Sequence, residues 1–91
     1  DQFKNTLFHL QQLGIRIAAV TEKTKVAIEG ANLRGSIVLV MGSEEDGITQ
    51  DILNMADLRV TIPMEGTTSS LNVGVAAGIA MFEKTRQEKN R

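Results

Sequence analysis

The chain has 91 residues, no cysteine and a formal net charge of −1 at pH 7. It is therefore one domain at most, without disulfides or cysteine-bound metal, and any RNA contact must come from local patches or from other parts of the protein. No apolar run reaches the roughly 20 residues of a membrane span and no signal segment opens the chain, so we expect a cytoplasmic protein without a membrane partner. Because the first residue is Asp1 rather than methionine, we expect a segment of a longer protein.

The first predicted elements are an amphipathic helix and a strand. Apolar residues recur at helical spacing through residues 2–13, and Gly14 stands where a left-handed helix stop is expected. The apolar positions of this helix are Phe3, Leu7, Leu10 and Leu13. The short branched run at residues 15–20 then predicts a strand. The only histidine, His9, has no carboxylate nearby to orient it, so we expect a packing or solvent-facing role rather than catalysis.

Residues 21–35 mix charged and short apolar pieces and predict a connection with one short turn at residues 27–28. Three basic residues lie in this connection, namely Lys23, Lys25 and Arg34. They are either phosphate contacts or part of a solvated face.

The continuous apolar run SIVLVM, residues 36–41, predicts a strand that is covered on both faces, and we expect it to be the central strand of a parallel sheet. The loop GSEEDG, residues 42–47, follows directly, at the kind of position where α/β sheets bind ligands. Its spacing matches no phosphate-binding fingerprint, and Glu44, Glu45 and Asp46 would repel an anion. A divalent metal is conceivable here, but a calcium loop alternates its acidic residues with others, whereas these three acids are consecutive. A ligand with hydroxyl groups or positive charge therefore fits best.

Thr49 predicts the N-cap of a short helix that ends near Ala56. Ile48 precedes this helix and is placed to pack against Leu53. Apolar and polar residues then alternate through residues 58–62, which predicts a strand with one covered face. The order of helices and strands along the chain indicates an α/β fold, with a parallel sheet flanked by helices. The loops after the last two strands are then expected at the same edge of the sheet.

The only proline ends this last strand and opens a loop suited to a small ligand. Pro63 cannot donate to a sheet, and residues 66–70 combine a glycine with four hydroxyl side chains. Serine catalysis is disfavoured, because there is no Gly-x-Ser-x-Gly turn and no suitably placed histidine. Ser69 or Ser70 caps the next helix in the simplest interpretation, which is compatible with ligand contact. Asn72 remains open between capping and a role in a site.

The last predicted helix begins at or just after Ser70 and carries an apolar stripe, with glycine and alanine over much of its remaining surface. The stripe consists of Leu71, Val75, Ile79 and Phe82. Small residues let another backbone pack close, so we expect this helix to be buried on two sides. Beyond Glu83 the chain turns polar and mostly basic, which suits the negative end of a helix dipole and a solvated tail.

Three segments resemble a known family. LVMGSEEDGIT, the strand ending IPMEG, and SSLNVGVAAGIAMFE stand in the order and spacing of the second and third motifs of the SpoU-type RNA ribose 2'-O-methyltransferases. These TrmH-like enzymes belong to the trefoil-knotted SPOUT superfamily. The resemblance implies that residues 1–91 are a partial SpoU-type methyltransferase domain, the C-terminal part of the knotted α/β domain, whose first motif lies upstream.

The resemblance also implies a function, the S-adenosylmethionine-dependent transfer of a methyl group to a ribose 2'-hydroxyl of tRNA or rRNA, without a metal. This chain would supply the cofactor-binding half. The implied cofactor-binding positions are Thr21, Gly42, Ile62, Met64 and Leu71. The polar positions implied to shape the active site and to position the ribose and the catalytic groups are Glu44, Ser70 and Asn72. The implied partners are structured RNA, in the full protein, and a second copy of the chain, because the family's last helix packs in the knot and the dimer interface.

One part of the family pattern is missing here. The first motif contains an arginine that helps to activate the ribose hydroxyl, and nothing in residues 1–35 matches that motif. Arg16 lies in a predicted strand and Arg34 in a connection, so neither takes this role. We therefore expect the chain alone to lack methyltransferase activity. The alternative is a non-catalytic cofactor-binding or dimerisation module derived from the same fold, and a generic nucleotide-binding domain is a third possibility that the acidic loop disfavours.

Overall fold

Three parallel strands form the centre of the fold, and the predicted parallel sheet flanked by helices is confirmed. The computed structural model of the protein describes residues 2–42, 47–63 and 73–89. Its elements in chain order are α1 (Gln2–Gln12), β1 (Arg16–Val20), a single 3-10 turn (Ile28–Gly30), β2 (Ile37–Met41), α2 (Gln50–Met55), β3 (Leu58–Val60) and α3 (Val73–Lys89). None of the helices in the described ranges is long and apolar enough to cross a membrane.

The central strand is β1, and the prediction that the SIVLVM strand is central was wrong. The order across the sheet is β2-β1-β3, with Val20 of β1 paired with Met41 of β2 and with Val60 of β3. An apolar run reports how well helices cover the two faces of a strand, and not how many strands flank its edges. The strand β2 buries only Val40 fully. The fully buried residues of β1 are Ile17, Ala18 and Ala19.

Each face of the sheet has its own apolar cluster, because side chains alternate between the two faces of a strand. One cluster joins the sheet to α1 and α2, and its members are Leu7, Ile17, Ala19, Val40, Ile48, Ile52 and Leu53. The other joins the opposite face to the 3-10 turn and α3, and its buried members are Ile28, Leu33, Val60 and Ala80. Helices therefore cover both faces of the sheet, as the continuous apolar run of residues 36–41 predicts.

The helix α1 follows its predicted boundaries but covers the sheet with only part of its apolar side. Leu7 is buried and Leu10 packs against the same cluster. Phe3 and Leu13, at the two ends of the helix, are 55% and 64% exposed. The predicted stop is confirmed, because Gly14 has a φ of 85°, which glycine adopts without steric cost.

The helix α2 begins where Thr49 predicts, although Thr49 does not cap it with its side chain. The Thr49 hydroxyl donates instead to the carboxylate of Asp51, and the same carboxylate accepts the Ile52 N–H at 3.0 Å. The hydrogen bond from Thr49 lowers the pKa of Asp51. Ile48 and Leu53 belong to one apolar cluster, as the predicted staple requires.

The helix α3 differs from prediction in both its length and its buried face. It continues through Glu83 to Lys89, so residues 84–89 are helical rather than a tail. The predicted basic helix end is confirmed, with Arg86 and Lys89 in the last turn. Its predicted apolar stripe does not face the sheet, since Val75, Ile79 and Phe82 are 53%, 38% and 72% exposed in the single chain. The residues buried on the sheet side are Ala76, Ala80, Glu83 and Gln87. They are spaced at helical periodicity, and the two alanines let the helix approach the sheet closely.

Of the two polar residues on this buried face, Gln87 bonds to the loop that leads into β2, and Glu83 bonds to Gln87. The Gln87 side chain accepts the Leu33 N–H at 2.8 Å and donates to the Ala31 carbonyl at 2.9 Å and to the Glu83 carboxylate at 2.8 Å. Arg86 donates to both carboxylate oxygens of Glu83, at 2.9 and 2.7 Å. The Arg86 guanidinium, followed by the Gln87 amide, lowers the pKa of Glu83 to about 2. Glu83 is therefore ionised at neutral pH and holds Gln87 in place.

Candidate functional site

The carboxyl ends of the three strands meet at one edge of the sheet. Because Met41, Val20 and Val60 are in register, the residues that follow the strands lie side by side at this edge. Gly42 follows β2 and Thr21 follows β1. Neighbouring strands are about 4.8 Å apart, so the ends of the two outer strands are separated by roughly 10 Å, which is the size of a nucleoside. The two glycine-bearing loops leave the sheet at the same edge, as predicted.

Gly42 is a glycine because the chain folds back over it. A Cβ atom placed on Gly42 would lie 2.6 Å from the Cα of Gly47 and 2.6 Å from the N of Ile48. Real Cβ atoms do not approach backbone so closely, so no larger side chain fits without moving the loop. The backbone of Gly47 and Ile48 thereby occupies the place that a side chain would take at the end of β2.

Just beyond its last residue, β3 gains a second partner on the side away from β1. The Thr21 N–H donates to the Val60 carbonyl at 2.8 Å. The next residue, Thr61, bonds on its other side, where its N–H donates to the Val26 carbonyl at 2.8 Å and its carbonyl accepts the Ile28 N–H at 2.9 Å. Sequence reasoning placed residues 58–62 in one strand but missed this second partner. The only signal for it was the short apolar run V-A-I at residues 26–28.

This pairing directs the backbone of Ile62 toward the end of β1. Successive residues of an extended chain turn their N–H and C=O groups to opposite sides, so Ile62 faces the same side as Val60 and opposite to Thr61. Pro63 follows, and a residue before proline is restricted to extended conformations. No hydrogen bond among residues 2–42, 47–63 and 73–89 outside the regular elements uses the backbone of Ile62. One donor and one acceptor therefore face the space beyond Thr21.

The structure brings together three of the predicted cofactor-binding positions, Thr21, Gly42 and Ile62, at this edge. The other predicted site residues, Glu44, Met64, Ser70, Leu71 and Asn72, lie outside the described residues.

Two residues considered for site roles have other surroundings. His9 is exposed, as expected, on the outer side of α1. Arg34 bonds within the protein instead of lying free for a phosphate, because its guanidinium donates to the Gln87 carbonyl at 3.1 Å near the end of α3. Within the described ranges, no group of three or more histidine, aspartate or glutamate side chains gathers in a way that would hold a metal ion.

Solved structures of RNA-modifying enzymes share this fold. The TrmH/SpoU tRNA modifying enzyme of A. aeolicus matches with a TM-score of 0.84 and 33% identity, over 94% of this chain and 44% of that one. An AdoMet-bound rRNA methyltransferase from Sinorhizobium meliloti matches with a TM-score of 0.81 and 26% identity, over 90% of this chain and 32% of that one. The parallel sheet and its helices therefore define a protein of the SPOUT methyltransferase class.

Sequence comparison gives the family. The profile of the SpoU rRNA Methylase family matches residues 1–82, and the chain belongs to this family. It is 44% identical over 82 residues to the 23S rRNA (guanosine-2'-O-)-methyltransferase RlmB of Vibrio vulnificus (strain CMCP6), and these residues make up 90% of this chain and 33% of the relative. The corresponding enzyme of Ralstonia nicotianae is 39% identical over 82 residues. The chain spans about a third of the length of these relatives.

Proposed function

We propose that the protein carrying this chain transfers a methyl group from S-adenosylmethionine to a ribose 2'-hydroxyl of RNA, and that this chain supplies the cofactor-binding half. The observation that carries the proposal is the sheet edge where Thr21, Gly42 and Ile62 follow the carboxyl ends of β1, β2 and β3. The relatives named as 23S rRNA (guanosine-2'-O-)-methyltransferases support rRNA as the substrate class and guanosine as the modified nucleoside.

The residues at this edge fit the proposed cofactor. The N–H and carbonyl of Ile62 match the acceptor and donor that adenine presents on one edge, and such a pair distinguishes adenine without any charged side chain. The end of β2 at Gly42 carries no side chain and is separated from the end of β3 by roughly 10 Å, about the size of a nucleoside. Thr21 closes the space between them. Met64 and Leu71 are proposed to complete the pocket with apolar surface.

The proposed chemistry needs positioning more than acid or base strength. When bound, S-adenosylmethionine supplies an electrophilic methyl group, and the ribose oxygen that takes it must approach in line and lose its proton. Glu44, Ser70 and Asn72 are proposed to hold the ribose and the catalytic groups in that geometry, through one carboxylate, one hydroxyl and one amide. The arginine that assists proton removal in this family is proposed to lie outside this chain.

The proposed assembly is a cytoplasmic homodimer with a trefoil knot. The exposed stripe of Val75, Ile79 and Phe82 on α3 supports it, because a row of apolar side chains on one helix face is typical of a surface that another chain covers. In a dimer, this face and the small-residue face toward the sheet would both be covered, as expected for a helix buried on two sides.

The test combines cofactor binding with mapping of the RNA product. We expect the complete natural protein to bind S-adenosylmethionine in calorimetry more tightly than ATP, and a deletion strain to lack one ribose methyl group in its 23S rRNA. Tighter binding of ATP would contradict the proposal and favour a nucleotide-binding domain. Cofactor binding together with an unchanged methylation map would favour the non-catalytic module instead.

A further inference from the structure

Most lysine and arginine side chains in the described ranges bond to other groups of the same chain. Those that bond to a protein carbonyl or carboxylate are Lys4, Arg16, Arg34, Arg59, Lys84 and Arg86. Lys23, Lys25 and Lys89 form no hydrogen bond or ion pair through their side chains with any residue in those ranges, and all three are exposed. Because the 91 residues carry a net charge of −1, we expect them to attract RNA only where such cations gather.

The loop that carries Lys23 and Lys25 crosses β3 at the candidate site. Before the loop, Thr21 bonds to Val60 on the β1 side of β3. After it, Val26 bonds to Thr61 on the opposite side of the same strand. Residues 22–25 therefore pass over the end of β3, next to the residue whose backbone faces the proposed cofactor. Each Cα–Cα step is about 3.8 Å, so the Cα of Lys23 lies within roughly 8 Å of that of Thr21.

The loop is also held in a defined shape. The Thr21 hydroxyl accepts the Lys23 N–H at 3.1 Å, and the Thr24 hydroxyl accepts the Val26 N–H at 3.3 Å. Two successive threonine turns, anchored at both ends to β3, fix the path of the backbone while both lysine side chains extend into solvent. A fixed backbone with free ammonium groups is suited to a ligand whose charges are spaced along a chain.

From this geometry we infer that Lys23 and Lys25 bind backbone phosphates of the RNA on either side of the nucleotide that enters the site. The inference rests on the proposed function, because it takes the sheet edge as the place where the ribose is methylated. Lysine is a suitable phosphate ligand at a flexible distance, since its charge is a compact point on a long stem. Phosphate contacts position RNA without reading its sequence, so the loop would set the register of the substrate and not its identity.

The test uses the complete natural protein with Lys23→Gln and Lys25→Gln combined, and a matched control with Lys89→Gln. Lys89 is equally exposed but lies five residues beyond Lys84, which bonds to the Gly35 carbonyl at the opposite edge of the sheet. Binding is measured by filter retention of unmodified 23S rRNA transcript and of poly(U), over a range of salt concentrations. We expect the double variant to bind both RNAs about tenfold more weakly near 0.1 M salt, with a salt slope smaller by about 1.5. The control should match the wild type.

The outcomes separate this inference from the proposed function. An unchanged RNA affinity and slope in the double variant, with methylation intact, would overturn the lysine contacts alone. Weaker binding of S-adenosylmethionine in calorimetry with unchanged RNA binding would also overturn them, since the lysines would then serve the cofactor carboxylate. If the double variant loses affinity for both RNAs while the wild type methylates neither, the lysine contacts to RNA phosphate stand, but their place beside a methylated nucleotide and the proposed reaction both fail.

Discussion

At Gly42 the backbone leaves room for a hydrogen atom and nothing larger. We expect Gly42→Ala to destabilise the protein by about 1–3 kcal/mol, because the added Cβ meets the backbone of Gly47 and Ile48, which cannot move as the end of a flexible side chain can. Gly30→Ala is the matched control, since a Cβ there meets nothing within 4 Å. Urea denaturation measures both variants. Equal stability of the two would show that the loop yields easily.

The same substitution bears on the cofactor. If the position of the loop over Gly42 shapes the proposed pocket, Gly42→Ala also weakens S-adenosylmethionine binding in calorimetry, whereas Gly30→Ala leaves it unchanged. A Gly42→Ala variant that is destabilised but binds the cofactor normally would make this glycine purely structural.

Glu83 makes stability depend on pH in the acid range. Its pKa falls from an ordinary 4.5 to about 2 in the folded protein, chiefly through Arg86. Because the folded pKa is the lower one, the stabilisation is complete above pH 4.5 and is lost as the pH falls toward 2. We expect Glu83→Gln to lower the melting temperature at pH 7, and the difference from wild type to shrink below about pH 4.5.

Glu22→Gln serves as the control for this titration. Glu22 is exposed, and its side chain forms no hydrogen bond or ion pair with residues in the described ranges. Thermal melts from pH 7 to pH 2 on all three proteins make the comparison. A difference between wild type and Glu83→Gln that stays constant with pH would contradict the role of the carboxylate charge.

At the scale of the elements, the C-terminal half of α3 acts as a polar clamp on the loop before β2. Gln87→Ala removes the hydrogen-bond partners of the Leu33 N–H and the Ala31 carbonyl, and the hydrogen bond from the Leu33 N–H is buried. We expect a loss of about 1–3 kcal/mol, because a buried donor without a partner keeps its full desolvation cost. Thr85→Ala, on the exposed side of the helix, is the comparison variant in urea denaturation. Similar urea midpoints for the two variants would show that the clamp does not stabilise the fold.

The exposed stripe of α3 gives a second test at this scale. Phe82→Asp is expected to convert the proposed dimer to a monomer in analytical ultracentrifugation without lowering monomer stability, since the side chain is 72% exposed. Met81→Asp is the matched control, because Met81 is 57% exposed but lies about 100° around the helix. A wild-type protein that sediments as a monomer would contradict the proposed dimer.

At the scale of the whole molecule, the chain contains one half of a proposed active site. We expect residues 1–91 alone to show no methylation of 23S rRNA transcript, and the complete natural protein to methylate it, because the family's first motif has no match in this chain. Tritium transfer from labelled S-adenosylmethionine measures both. Turnover by the 91 residues alone would contradict the proposal that they contain only half of the active site. A group that removes the ribose proton would then have to lie within them.

The sequence by itself determined the class of fold, the parallel orientation of the strands and the edge at which the loops meet. Periodicity and turn residues report local backbone states, and parallel strands joined by crossovers place their carboxyl ends together. The motif segments also predicted the family correctly, because their residue types and spacing are specific to it.

Only the tertiary structure decided which strand is central, which face of α3 is buried and what pairs with Thr61. Each depends on contacts between residues far apart in sequence. Hydrophobicity favoured the Val75 to Phe82 stripe, yet the alanine face packs on the sheet because small side chains allow closer approach and because Gln87 finds partners in a distant loop. A hydrogen-bond partner 54 residues away leaves no local pattern, so the sequence could not reveal it.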